Sequence, residues 1–164
     1  MTEFQRLFLV QARDDFAILA LLRKQTRIHP CHLLHYLQMA TELLGKAHAW
    51  KDGPRTHTHR AFVPFLRSLG TNRKAQARLG REGHNESWRQ LIKSSLSLAE
   101  RVEALAPAIA RDAPNPEYPW PRDAPVAAPV EHTFDVWQEL EATPGGRRFF
   151  QLLNGLFGAA EAFL

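Results

Sequence analysis

An all-α fold is what this chain predicts, on three observations. Apolar residues recur at spacings of three and four along most of its length, the period of an amphipathic helix. No segment alternates apolar and polar residues in the way a half-buried strand does. Proline and glycine fall where such helices would have to stop. The 164 residues, 45% of them hydrophobic, suit one domain over residues 1–164 with a core of its own. The architecture expected is an antiparallel helical bundle of four main helices, with short additional helices and a Pro-rich strap or connection over about residues 107–130.

The first helix is expected from about Thr2 to Gln25, with Phe4, Leu7, Phe8, Ala12, Phe16, Leu19 and Leu22 on its inner stripe. His29-Pro30 breaks the chain, and Pro30 suits the first turn of a second helix running to about Trp50. Leu33, Leu37, Ala40, Leu44 and Ala47 form its buried stripe. "KDGP" reads as a stop and a loop. "HRAFVPFLRSLG" predicts a short helix carrying Phe62, Phe65, Leu66 and Leu69. The polar, basic "TNRKAQARLGREGHN" predicts an exposed connection or a frayed helix. Asn85 is placed as the N-cap of another long helix, to about Ala106. The prolines from Pro107 to Pro129 forbid a helix through that span, and Tyr118 and Trp120 in "EYPWP" argue for a strap packed over the bundle. "TFDVWQELEA", capped by Thr133, and "RRFFQLLNGLFGAAEAFL" close the chain as helices.

Charge is unevenly distributed. Residues 1–111 hold 18 Lys and Arg against 9 Asp and Glu, and residues 112–164 hold 3 against 8, which sum to the net +4. A basic body with an acidic end attracts polyanions, or pairs with a copy of itself. The single cysteine, Cys31, excludes an intramolecular disulfide and points to a reducing, cytoplasmic setting. The N-terminus is too interrupted by charge for a signal peptide or membrane span. His32 and His35, with Cys31 and His29 nearby, have ligand-like spacing, but no matched CxxC or metal-protease motif accompanies them, so partly buried or interface histidines are expected and neither metal nor cofactor.

The stretch "HLLHYLQMATELLGKAHAW" followed by "HTHRAFVPFLRSLG" resembles the central signature of the HEPN domain family. That signature is a helix of pattern Gln-x-x-x-Glu-x-x-x-Lys-Ala, a loop, and a Thr-His leading into a short apolar helix. Gln38, Glu42, Lys46 and Ala47 fit the first part, and Thr58, His59, Phe62 and Leu66 the second. "IARDAPNPEYPW" is similar to the family's aromatic-proline stretch before its closing helices. The resemblance covers about 120 of the 164 residues. It implies a small helical module of bacterial toxin–antitoxin or antiviral defence systems, working as a homodimer. A nucleotidyltransferase-type antitoxin, a defence-complex subunit or RNA would be its partner. It also gives Gln38, Glu42 and Lys46 a structural role inside the bundle.

Ribonucleases of that family use an arginine, then a histidine after four to six residues, paired across a dimer without a metal. The histidine would manage the proton of the ribose 2′-OH or leaving oxygen, and the arginine would hold charge on the phosphate. Arg23 to His29 and Arg78 to His84 both have the spacing, and roughly two such matches arise by chance in a chain this rich in arginine and histidine. Arg78 and His84 are the better candidate catalytic pair, because His84 lies ahead of a helix N-terminus in a basic, glycine-containing loop. The candidate phosphate-binding residues are Arg55, His59, Arg60, Arg73, Lys74 and Arg81, within a stretch from Lys51 to Arg89 that holds nine Lys and Arg against Asp52, Glu82 and Glu86. Its polar parts lack aromatic residues on which bases could stack.

Overall fold

Thr2 opens the first helix, α1 (Glu3–Leu22), with a capping box: its hydroxyl accepts the Gln5 N–H while the Gln5 amide accepts its own. The structure is a computed structural model and describes residues 1–50, 59–121 and 126–163, the side chains of 162 and 163 excepted. His29 caps α2 (Pro30–Ala49), its Nδ1 accepting the Cys31 N–H at 3.3 Å, and Pro30 takes the first helical position as expected. Gln5 Nε2 donates to the Ala47 carbonyl at 3.0 Å, and the Phe4 and Phe8 rings meet Trp50. The start of α1 therefore lies beside the end of α2, and the two run antiparallel. At the other side, Phe16 stacks on Phe157 and Arg23 bridges to Glu141, tying α1 to the last two helices.

Among the described residues six further α-helices follow: α3 (Phe62–Leu69), α4 (Arg73–Arg78), α5 (Asn85–Glu103), α6 (Pro107–Ala110), α7 (Asp135–Ala142) and α8 (Pro144–Gly158). Among the described residues there is no strand, only one isolated bridge between Trp120 and Ala127, so the chain is all-α. No described helix is long and apolar enough to cross a membrane. The long helices α1, α2, α5 and α8 do not make the core by themselves. The short α3 sinks Phe62, Phe65, Leu66 and Leu69 into it, and α7 adds Trp137 and Leu140.

Several local expectations are corrected. Of the stripe expected on α1, Ala12 and Leu19 are buried and Phe8, Phe16 and Leu22 pack against the core, but Phe4 and Leu7 are half exposed, and Gln5, Leu9 and Asp15 are buried in addition. The helix is apolar on more than one side, so hydrophobicity alone orients it only in part; the hydrogen bond from Gln5 to α2 belongs to the side that does face inward. "TNRKAQARLG" forms a regular short helix, since Asn72 caps the Ala75 N–H and Ala75 and Gln76 are buried. His84, not Asn85, is the N-cap of α5, without a side-chain cap bond. Phe134, not Thr133, precedes α7. Thr143 caps α8 through the Gly146 N–H, so that helix starts ahead of Arg147 with Pro144 first. In the strap Trp120 is buried but Tyr118 is exposed, and two short turns of helix, α6 and the 3-10 turn Pro129–Glu131, interrupt it.

Candidate functional site

Two polar arrangements stand out, one inside the bundle and one on its surface. The first gathers around Glu42, whose side chain is 5% exposed in the middle of α2. Gln38 Nε2 donates to its Oε2 at 2.7 Å, Lys46 Nζ to its Oε1 at 2.5 Å, and His59 Nδ1 lies 2.9 Å from the same Oε2 that Gln38 reaches. Gln38, Glu42 and Lys46 follow one another at intervals of four, so the helix stacks them on one stripe, and the chain entering α3 brings His59 across. Burial raises the Glu42 carboxyl, but the bonds from Lys46 and His59, the Lys46 charge and the Gln38 amide outweigh it and hold it below its ordinary value. Next to this knot Glu103, from the end of α5, accepts the N–H groups of Phe62 and Val63 and so caps α3 from outside its own chain segment. Burial pushes Glu103 up, against those two bonds and the Arg60 charge, and Glu42 pushes it further.

The second arrangement is a basic face built by α4, the loop after it, α5 and α8. A cavity of about 480 Å³ opens there with Arg81 and Arg148 on its lining, and a smaller polar one of about 170 Å³ is lined by Arg73 and Arg89. The buried Trp88 lines both, so the two cavities adjoin across its side chain. Its indole N–H is fixed on the Leu69 carbonyl at 2.8 Å, which makes the dividing wall rigid. Lys74 and Arg78 are exposed on α4, and Lys93 sits one turn beyond Arg89.

The predicted residues divide between these places. Arg73, Lys74 and Arg81 are exposed on the basic face. Arg78 ends α4 and His84 precedes α5; both are exposed, and among the described residues neither side chain is engaged by a hydrogen bond or ion pair. His59 belongs to the Glu42 knot, and Arg60 lies within reach of the Glu103 charge. Arg55, with Lys51 and Thr58, falls outside the described residues. His32 is exposed, whereas the His35 Nδ1 is 3.5 Å from Glu117 of the strap and influences the buried Asp15 of α1. Burial pushes the Asp15 carboxyl and the Cys31 thiol up. Among the described residues no three of His, Cys, Asp and Glu are placed to hold a metal ion.

Sequence reading missed Arg148, Gln151 and Gly155, which reach the cavity from α8. The only signal was the double arginine ahead of "FFQLLNG", because the other half of the cavity lies more than fifty residues away in the chain. Comparison of the chain with protein-family models, with curated proteins and with solved structures finds no match.

Proposed function

We propose that the chain is a HEPN-like helical module of a bacterial toxin–antitoxin or defence system that binds RNA on the basic face of α4, α5 and α8. One observation carries this reading: the distribution of ion pairs. Arg6, Arg13, Arg23, Arg67 and Arg101 are each matched to a glutamate. Arg73, Lys74, Arg78, Arg81, Arg89, Lys93 and Arg148 have no such partner among the described residues, although Glu82 and Glu86 are close in sequence; Lys24, Arg27, Arg111 and Arg147 lack one as well, but here seven such cations gather on α4, α5, α8 and the loop after α4. Cations kept unneutralised at close spacing favour an anionic partner with repeated charges, and a phosphate backbone supplies them.

Binding is expected to weaken steeply with salt. Replacing Arg73, Arg81, Arg89 and Arg148 together by Gln lowers affinity for single-stranded RNA about a hundredfold near 0.1 M salt and flattens the logarithmic salt slope by about 3. The measurement is fluorescence anisotropy over a salt series, with circular dichroism confirming an intact fold. Affinity that ignores both salt and the four substitutions would sink the reading.

A second reading, a metal-independent endoribonuclease, is favoured by the unengaged Arg78 and His84 at the junction of α4 and α5. The ribose 2′-OH attacks the adjacent phosphorus while His84 takes its proton; the P–O5′ bond breaks to leave a 2′,3′-cyclic phosphate, the departing 5′-oxygen takes a proton from water, and Arg78 holds the phosphate charge. RNA incubated with the protein in chelator is expected to be cut, and His84→Ala to abolish cutting. Cleavage that persists in His84→Ala removes these two residues from the mechanism.

A further inference from the structure

The larger cavity has a lining that a phosphate backbone alone does not explain. Leu79, Leu91 and Leu152 give it mainly apolar walls, closed on one side by Trp88. Gly155 is what lets the Leu79 side chain lean against α8, since a Cβ there would come within 2.9 Å of Leu79 Cδ2. The polar part of the lining is two guanidiniums, Arg81 and Arg148, two carboxamides, Gln90 and Gln151, and two hydroxyls, Ser87 and Ser94, with no carboxylate among the lining residues. Gln90 spends one N–H on Glu86 and keeps its oxygen, whereas Gln151 has no hydrogen-bond partner among the described residues.

This combination discriminates between ligands. An aliphatic acid would satisfy the arginines and the leucines but make no use of the two carboxamides, which belong to exposed residues and stay hydrated. A bare phosphate would waste the apolar walls. A nucleobase matches each element: its faces lie against leucine and guanidinium planes, its edge offers both donors and acceptors to Gln90 and Gln151, and its phosphate meets Arg81 or Arg148. At about 480 Å³ the cavity is within the range of small-molecule sites. The smaller pocket beyond Trp88, with Arg73 and Arg89, then stands where the strand would continue.

We infer that the cavity between α5 and α8 receives one unstacked nucleobase of a single-stranded RNA, with the flanking phosphates on Arg81 and Arg148 and on Arg73 and Arg89. This rests on the RNA-binding reading and adds to it a site for the base itself. It also answers the lack of exposed aromatics on this face, because aliphatic and guanidinium surfaces take their place.

The test compares a short single-stranded RNA with an abasic strand of equal length and charge, by fluorescence anisotropy at 0.15 M salt. The RNA is expected to bind about tenfold more tightly than the abasic strand. Ser94→Trp, which places an indole at the cavity lining from α5, is expected to remove that advantage, and Gln151→Ala to reduce it several-fold; circular dichroism verifies both folds. Equal affinity of the intact protein for the two strands overturns the inference while leaving the polyanion reading standing. An advantage that survives both substitutions overturns it as well. If neither strand binds, the RNA-binding reading falls and the base site with it.

Discussion

Gly45→Ala is expected to destabilise the fold by about 3 kcal/mol or more, although alanine is the better helix former. Gly45 lies inside α2, where a glycine weakens a helix by about 1 kcal/mol relative to alanine, so its presence needs a reason. The reason is the chain entering α3. A Cβ at this position would stand 2.4 Å from the Ala61 carbonyl carbon, 2.5 Å from its oxygen and 2.6 Å from the Phe62 nitrogen. These are backbone atoms, and they cannot rotate away as the end of a side chain would. Alanine therefore drives α3 off α2 and loosens the seating of Phe62 and Phe65, both almost fully buried. The same displacement would pull His59 from Glu42 and the Phe62 and Val63 N–H groups from Glu103. Urea denaturation measures the effect, and Gly158→Ala is the control, since nothing lies within 4 Å of its Cβ. Equal stability of the two variants would show that α2 and α3 are not held at this distance in solution.

How legible such features are depends on how local they are. The existence of α2, its proline start and its buried stripe followed from spacing within twenty residues, because the 3.6-residue period and the His29-Pro30 break are properties of one segment. The orientation of α1 was legible in part: Ala12 and Leu19 are buried and Phe8, Phe16 and Leu22 pack on the core as their spacing implies. Phe4, Leu7 and Val10 leave its outer side apolar as well, and the hydrogen bond of Gln5 to Ala47 shows how its first turn sits. The Gln38, Glu42 and Lys46 stripe could be read from spacing, but spacing alone does not tell a buried pair from an exposed one worth a few tenths of a kcal/mol. Its burial depends on α3 and α5 crossing above it, which no local pattern encodes. The cavity was invisible for the same reason: Leu79 falls in a stretch that predicts an exposed connection, and its gap with Leu91 and Leu152 exists only once α5 and α8 are packed. Charge was the exception. The basic excess from Lys51 to Arg89 was plain in the sequence, and the structure adds that its cations on α4 and α5 lack the glutamate partners that other arginines have.

Glu42→Gln is expected to cost about 3 kcal/mol at neutral pH, since it keeps the shape of the side chain but leaves the nearly buried Lys46 ammonium without its counter-ion. Replacing both members, with Glu42→Leu and Lys46→Met, should recover part of that loss, because no charge is then stranded. Recovery stays partial, since Gln38 and His59 still point at the vacated carboxylate and the Gln38 oxygen already lacks a partner. The dependence on pH separates this account from a simple packing defect. The Glu42 carboxyl is held below its ordinary value of 4.5 in the fold, so its contribution is complete above 4.5 and disappears as pH falls through the lower folded value. The gap between the native chain and Glu42→Gln therefore stays constant from neutrality down to about pH 5 and closes below 4.5. Glu103 runs the other way: raised above 4.5 by burial and by Glu42, its ionised form weakens the fold, and mild acid relieves that penalty first. Glu103→Gln, which keeps an oxygen for the Phe62 and Val63 N–H groups, should consequently gain stability at neutral pH and lose the gain on acidification. Urea midpoints across pH 3–7 for the three chains read both signs at once. A gap between native and Glu42→Gln that persists unchanged below the ordinary carboxylate range would mean that ionised Glu42 does not hold the knot together.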